Sequence, residues 1–197
     1  MEPSFIFIGH THSFLDDFIK EKEIIESANP EFVLSEQLEN LTLDSKEKYL
    51  EILEKRKISN MTSFKEIEKL IKLCFNKNIK LIGIDFPNFG FDINLQEKIK
   101  NKESLTEIEE EKLKKIIEKR EKNHFSKILE YNKKTNLPLV IILGCWHLRK
   151  GSFLREKLDN YKIIAPLDEK GEVIFEPKEG KEIKYGEITS NGSENKA

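Results

Sequence analysis

The run Leu139-Val140-Ile141-Ile142-Leu143 constrains this chain most. Five consecutive apolar residues between Pro138 and Gly144 are too few for a stable helix, and such a run fits a strand buried on both faces. A strand of that kind needs a sheet flanked by helices. A single α/β domain with a mostly parallel sheet is therefore expected, with this run at its centre. Phe5-Ile6-Phe7-Ile8 behaves the same way, and both runs end on one pattern: Gly9-His10-Thr11-His12 and Gly144-Cys145-Trp146-His147 are each Gly-x-x-His. Three of the four histidines lie in these two turns. In open α/β sheets ligands bind beyond the carboxyl ends of the parallel strands, so imidazoles placed there face a site.

The rest of the chain alternates in a way that suits such a sheet. A helix is expected after the first turn, ended by Asn29-Pro30, and a second strand over Glu31-Phe32-Val33-Leu34-Ser35-Glu36. Phe64, Ile67, Leu70, Ile71, Leu73, Cys74 and Phe75 recur at steps of three and four, which predicts a helix over 63–76, opened by a capping box of Thr62-Ser63 with Glu66. Ile79 to Asp85 reads as a third strand. Two helices fit Leu95 to Tyr131, the second starting at Thr106 with Glu109 three residues on. Leu41 to Asn60 is charged, weakly helical and without a strand signal, and together with the 95–131 segment it is expected to form a helical lid. A short helix over 152–158 and a strand over 161–167 follow, with Glu172-Val173-Ile174-Phe175 as an antiparallel edge. The domain is expected to span 1–186, with 187–197 a disordered tail.

Composition narrows the function classes. The 34 basic and 36 acidic residues nearly cancel, leaving no global field to attract nucleic acid or a membrane surface. No apolar run approaches the roughly 20 residues of a membrane helix. Two isolated cysteines suggest no disulfide framework, which points to a reduced, cytoplasmic protein. A small-molecule or peptide substrate is expected, and a homo-oligomer is left open.

His12, Glu36, Asp85 and His147 all fall at predicted strand ends, so two imidazoles and two carboxylates would converge on one crevice. That set suits a divalent ion such as manganese, cobalt or zinc. His10 is a further ligand candidate. On the helix after Thr106, Ile116, Arg120, Asn123 and Lys127 share a face, which lets Arg120 and Asn123 look into the same site. Asp85, Asn123 and Trp146 are candidate substrate contacts. His124, alone on that helix, reads as a surface or packing residue, and Cys145 as a small buried hydrophobe rather than a nucleophile.

Taken in order, Gly9-His10-Thr11-His12, Pro30 to Glu36, Ile84-Asp85, Arg120 with Asn123, and Gly144 to His147 resemble the motifs of the TraB/Tiki proteins, relatives of the ChaN-like and erythromycin-esterase-like proteins. The resemblance spans about residues 5–165. It implies an α/β fold with a helical insertion and a site built from both Gly-x-x-His turns, a glutamate and a helical arginine, at His12, Glu36, Arg120 and His147. It also implies metal-dependent hydrolysis of a peptide or another amide or ester, with His12, His147 and Glu36 as ligands and Glu36 and Arg120 as catalytic groups. Two alternatives stand beside it. His10-Thr11-His12 resembles the opening turn of PHP-type metal-dependent phosphoesterases, and a non-catalytic protein of the same fold could use its histidines to hold haem or a peptide.

Overall fold

β5 (Leu139–Gly144) occupies the middle of a seven-stranded sheet, flanked by β1 (Phe5–His10) and β2 (Phe32–Ser35), both parallel to it. The structure is a computed structural model that describes residues 3–11, 14–174 and 184–190. β4 (Lys80–Gly83) extends the parallel set beyond β2, and β6 (Tyr161–Pro166) extends it beyond β1. β3 (Thr42–Leu43) and β7 (Tyr185–Thr189) add antiparallel edges, which gives the order β3-β4-β2-β5-β1-β6-β7. The apolar run expected at the centre is there: Leu139, Val140, Ile141, Ile142 and Leu143 are all fully buried.

Strand pleating divides the core. Phe7, Leu34 and Ile141 point to one face, where α5 (Glu107–Asn132) and α6 (Phe153–Lys157) cover them through Ile128 and Leu154. Ile8, Val33, Val140 and Ile142 point to the other, against α1 (Phe14–Ala28), α2 (Lys46–Lys55) and α3 (Phe64–Lys77). Each such side chain contributes about 1.5–3 kcal/mol by leaving water. Chain direction matters as much as burial here. After β5 the chain turns to the α5/α6 face, whereas after its neighbours β1 and β2 it leads to helices on the opposite face. Strands whose connections part in this way leave a crevice at their carboxyl ends.

Several expectations change. The Leu41 to Asn60 segment contains a strand and is not a lid: Tyr49 and Ile52 are buried in the core, and the Tyr49 hydroxyl donates to Ile79 O at 2.7 Å, just before β4. Of the 95–131 segment, only α4 (Ile93–Lys100) and the start of α5 stand apart from the sheet, tied by Lys98 to Glu109 at 2.7 Å. The Thr62-Ser63 capping box does not form: Ser63 at the N-cap makes no side-chain bond to the helix, and Thr62 Oγ1 donates to Glu39 at 2.9 Å; the Thr106–Glu109 capping box does form. The 172–175 edge reduces to one bridge, Val173 to Leu167, with Phe175 outside the described residues. The edge strand is β7, so the tail boundary expected at Glu187 falls inside a strand, and residues 191–197 lie outside the described part. No helix among the described residues is long and apolar enough to cross a membrane.

Candidate functional site

The chain beyond β2 turns at Ser35, whose hydroxyl accepts the Gln37 N–H at 3.2 Å and starts the 3-10 turn Glu36–Leu38. Glu36 is thereby thrown across the end of β5, where its Oε1 accepts the Gly144 N–H at 2.7 Å. A Cβ on Gly144 would lie 2.9 Å from that oxygen, so the glycine of the second Gly-x-x-His is what lets the carboxylate seat on the strand end. His147 follows in the turn Cys145–Leu148 and points its Nε2 at Glu36 Oε2, 3.5 Å away.

α5 closes the crevice from the α5/α6 face. Glu121 Oε1 lies 3.2 Å from His147 Nδ1, and Asp85, just past β4, lies 3.0 Å from His124 Nε2. A nitrogen facing a carboxylate carries the proton, so Asp85 leaves His124 Nδ1 as a bare lone pair, while His147 stands between two carboxylates, Glu121 at Nδ1 and Glu36 at Nε2. Glu36, His124 and His147 each offer one donor atom, and these lie within 4.8 Å of one another. Glu36 Oε2 and His124 Nδ1 are buried without a hydrogen-bond partner among the described residues. A buried acceptor oxygen and a bare ring nitrogen, both without partners, are unfavourable side by side unless a cation or a proton stands between them. The donor set therefore fits a divalent ion.

The charges are arranged to keep Glu36 ionised. Burial works against its ionisation, but His147, Arg120 and His124 outweigh burial and hold its carboxyl below the usual range. Asp85 is treated likewise: burial raises it, while His124 and Arg120 hold it well down. Burial lowers His124, with the hydrogen bond and charge of Asp85 only partly opposing. Glu121 is lowered against its burial by hydrogen bonds from His147 and Arg149, the latter at 3.0 Å.

The expected site residues fall into separate places. Glu36, Asp85, Arg120 and His147 come together. Arg120 sets Nε 2.9 Å and Nη2 2.7 Å from Asp85 Oδ2 and stacks 4.8 Å over Phe89. Asn123 donates to Ile84 O at 2.7 Å and so pins the β4 exit. Trp146 is 40% exposed on the turn, with the Arg149 guanidinium 4.5 Å over its ring. His10 is elsewhere. It follows the parity of Ile6 and Ile8, emerges on the α1 face, and meets the Gln37 amide nitrogen at 3.1 Å, Asp17 at 3.5 Å and Glu21 at 3.9 Å. His12 lies outside the described residues.

Of the surface-or-packing reading of His124 only the buried alternative stands: it is fully buried, and its free ring nitrogen lies in the group with Glu36 and His147 that could hold an ion. Glu121 was missed with it. The signal was present in their spacing, since Glu121 and His124 are one turn apart on the helix that carries Arg120. No protein-family model, curated protein or solved structure matches the chain.

Proposed function

We propose that the chain is a divalent-metal-dependent hydrolase acting on a peptide or another amide or ester, with Glu36, His124 and His147 as the donors. One observation carries the reading: two imidazoles, each held at one ring nitrogen by a carboxylate, converge on a third carboxylate oxygen that no hydrogen bond satisfies. Two histidines and one glutamate are a donor set of catalytic zinc sites, and manganese or cobalt accept the same groups. The ion supplies Lewis acidity when bound. The chain's own groups do the rest. Glu121 and Asp85 fix the two rings, Gly144 N–H fixes Glu36, and Arg120 provides a standing positive charge against an oxyanion developing on the substrate. The ordered resemblance to the TraB/Tiki proteins points to the same reaction class.

One observation favours a second reading. Glu36, His124 and His147 are 6%, 0% and 4% exposed, which leaves little access for a substrate to an ion held among them. A non-catalytic metal-binding protein is the alternative. Protein purified without an affinity tag, loaded with manganese, cobalt or zinc, is assayed on a panel of peptides and esters. Ion-dependent turnover abolished by His147→Ala supports the hydrolase. A stoichiometric ion without turnover selects the second reading, and no ion at all overturns both.

A further inference from the structure

Glu36 Oε2 is approached by a permanent cation that does not reach it. Arg120 Nη2 stops 3.6 Å away, beyond hydrogen-bond length. What stops it is Asp85, whose wholly buried carboxylate takes Arg120 Nε at 2.9 Å and Nη2 at 2.7 Å. The same carboxylate accepts the Phe86 N–H at 2.7 Å and faces His124 Nε2 at 3.0 Å, so it is itself held from two further directions. A guanidinium gripped at two nitrogens by one carboxylate cannot close on a second without releasing the first. Phe89, stacked 4.8 Å from the guanidinium carbon, limits its swing on another side.

We infer that Asp85 is a positioning residue that holds Arg120 off Glu36 and so keeps Glu36 Oε2 open to a divalent cation. The inference rests on the metal reading and adds a specific element to it: Arg120 is a built-in competitor for the ligand carboxylate, and Asp85 restrains it. Two positive charges contend for one oxygen. With Asp85 neutral, the nearest remaining carboxylate for Arg120 is Glu36, and a movement of less than about 1 Å makes a direct charged hydrogen bond that occupies the donor. Removing the guanidinium as well reopens it. Replacing both members of a buried ion pair by neutral groups is tolerated far better than replacing one.

The test is a cobalt titration read by visible absorption, with a thermal melt of each protein, on wild type, Asp85→Asn, Arg120→Met and the double variant. Asp85→Asn is expected to weaken cobalt binding about 10- to 100-fold, the range for loss of a group that orients metal ligands. The double variant is expected to regain at least about tenfold, as coupled neighbours do. Arg120→Met alone binds as tightly as wild type or more so. A double variant as weak as Asp85→Asn overturns the inference alone, because Asp85 then acts through His124. Wild type that takes up no cobalt overturns the metal reading and this inference with it. Should Asp85→Asn fail to fold, Arg120→Met decides: a tenfold loss of cobalt affinity contradicts the restraint.

Discussion

Glu36 and Gly144 stand 108 residues apart in the chain and are joined at 2.7 Å by a carboxylate accepting a strand-end N–H. This contact fixes one oxygen of Glu36 and leaves the other facing two histidines. Gly144 has an ordinary extended conformation, so Gly144→Ala strains no backbone and acts only through the 2.9 Å approach of its Cβ to Glu36 Oε1. The expected result is a modest loss of stability, about 1 kcal/mol, with a larger loss of divalent-ion affinity. Chemical denaturation beside an ion titration separates the two, and unchanged affinity would detach Glu36 from the donor set.

Arg120 is expected to matter for turnover rather than for ion retention. Arg120→Met should lower kcat/KM by about 100- to 1000-fold on any substrate the wild type cleaves, the range for losing one stabilising group for a developing oxyanion, while a bound ion stays. Steady-state kinetics and metal content on the same preparation check this. Equal losses of both would make Arg120 a structural support of the ligands.

Glu21 predicts a pH dependence on the opposite face. Burial, with Asp17 adding to it, pushes its carboxyl up to about 8 from an ordinary 4.5. Between those values the folded chain binds a proton that the unfolded chain has lost, so this group's contribution to stability falls as pH rises from 4.5 through 8. Glu21→Gln removes the dependence. Its melting temperature should exceed that of wild type by roughly 3 °C or more at pH 9 and by less at pH 5. A difference that is flat with pH would show that Glu21 ionises normally.

Tyr49 tests whether α2 belongs to the core. Losing its buried hydroxyl bond to Ile79 O in Tyr49→Phe should cost about 1–2 kcal/mol in urea unfolding, with ion binding untouched. Unchanged stability with altered catalysis would return the 41–60 segment to the role of a lid.

The parts of this architecture that were legible in the sequence are those that depend on continuous local pattern. The 139–143 run announced a central strand, the stripe from Phe64 to Cys74 announced α3, and Thr106 with Glu109 announced the start of α5. What was harder to read depends on parity and on partners distant in sequence. His10 was read as a further ligand candidate beside His12 and His147, yet it shares the pleat of Ile6 and Ile8, which sends it to the α1 face. Counting alternation from Phe5 puts His10 on the same face as Ile6 and Ile8. Thr62 mimics a helix cap until Glu39 claims its hydroxyl, and Glu39 owes its buried position to a turn stitched to the end of β4. His124 needed its partner Asp85, 39 residues earlier, before its place beside Glu36 and His147 could be seen.

The central claim is that Glu36, His124 and His147 hold one divalent ion. The most direct measurement is cobalt stoichiometry by titration and elemental analysis, on tag-free wild type and on Glu36→Gln, His124→Ala and His147→Ala. The account predicts one ion per wild-type chain and a marked loss of affinity in each variant, with melting curves that show the variants folded. Wild type without a stoichiometric ion, or folded variants that bind it as tightly as wild type, would contradict it.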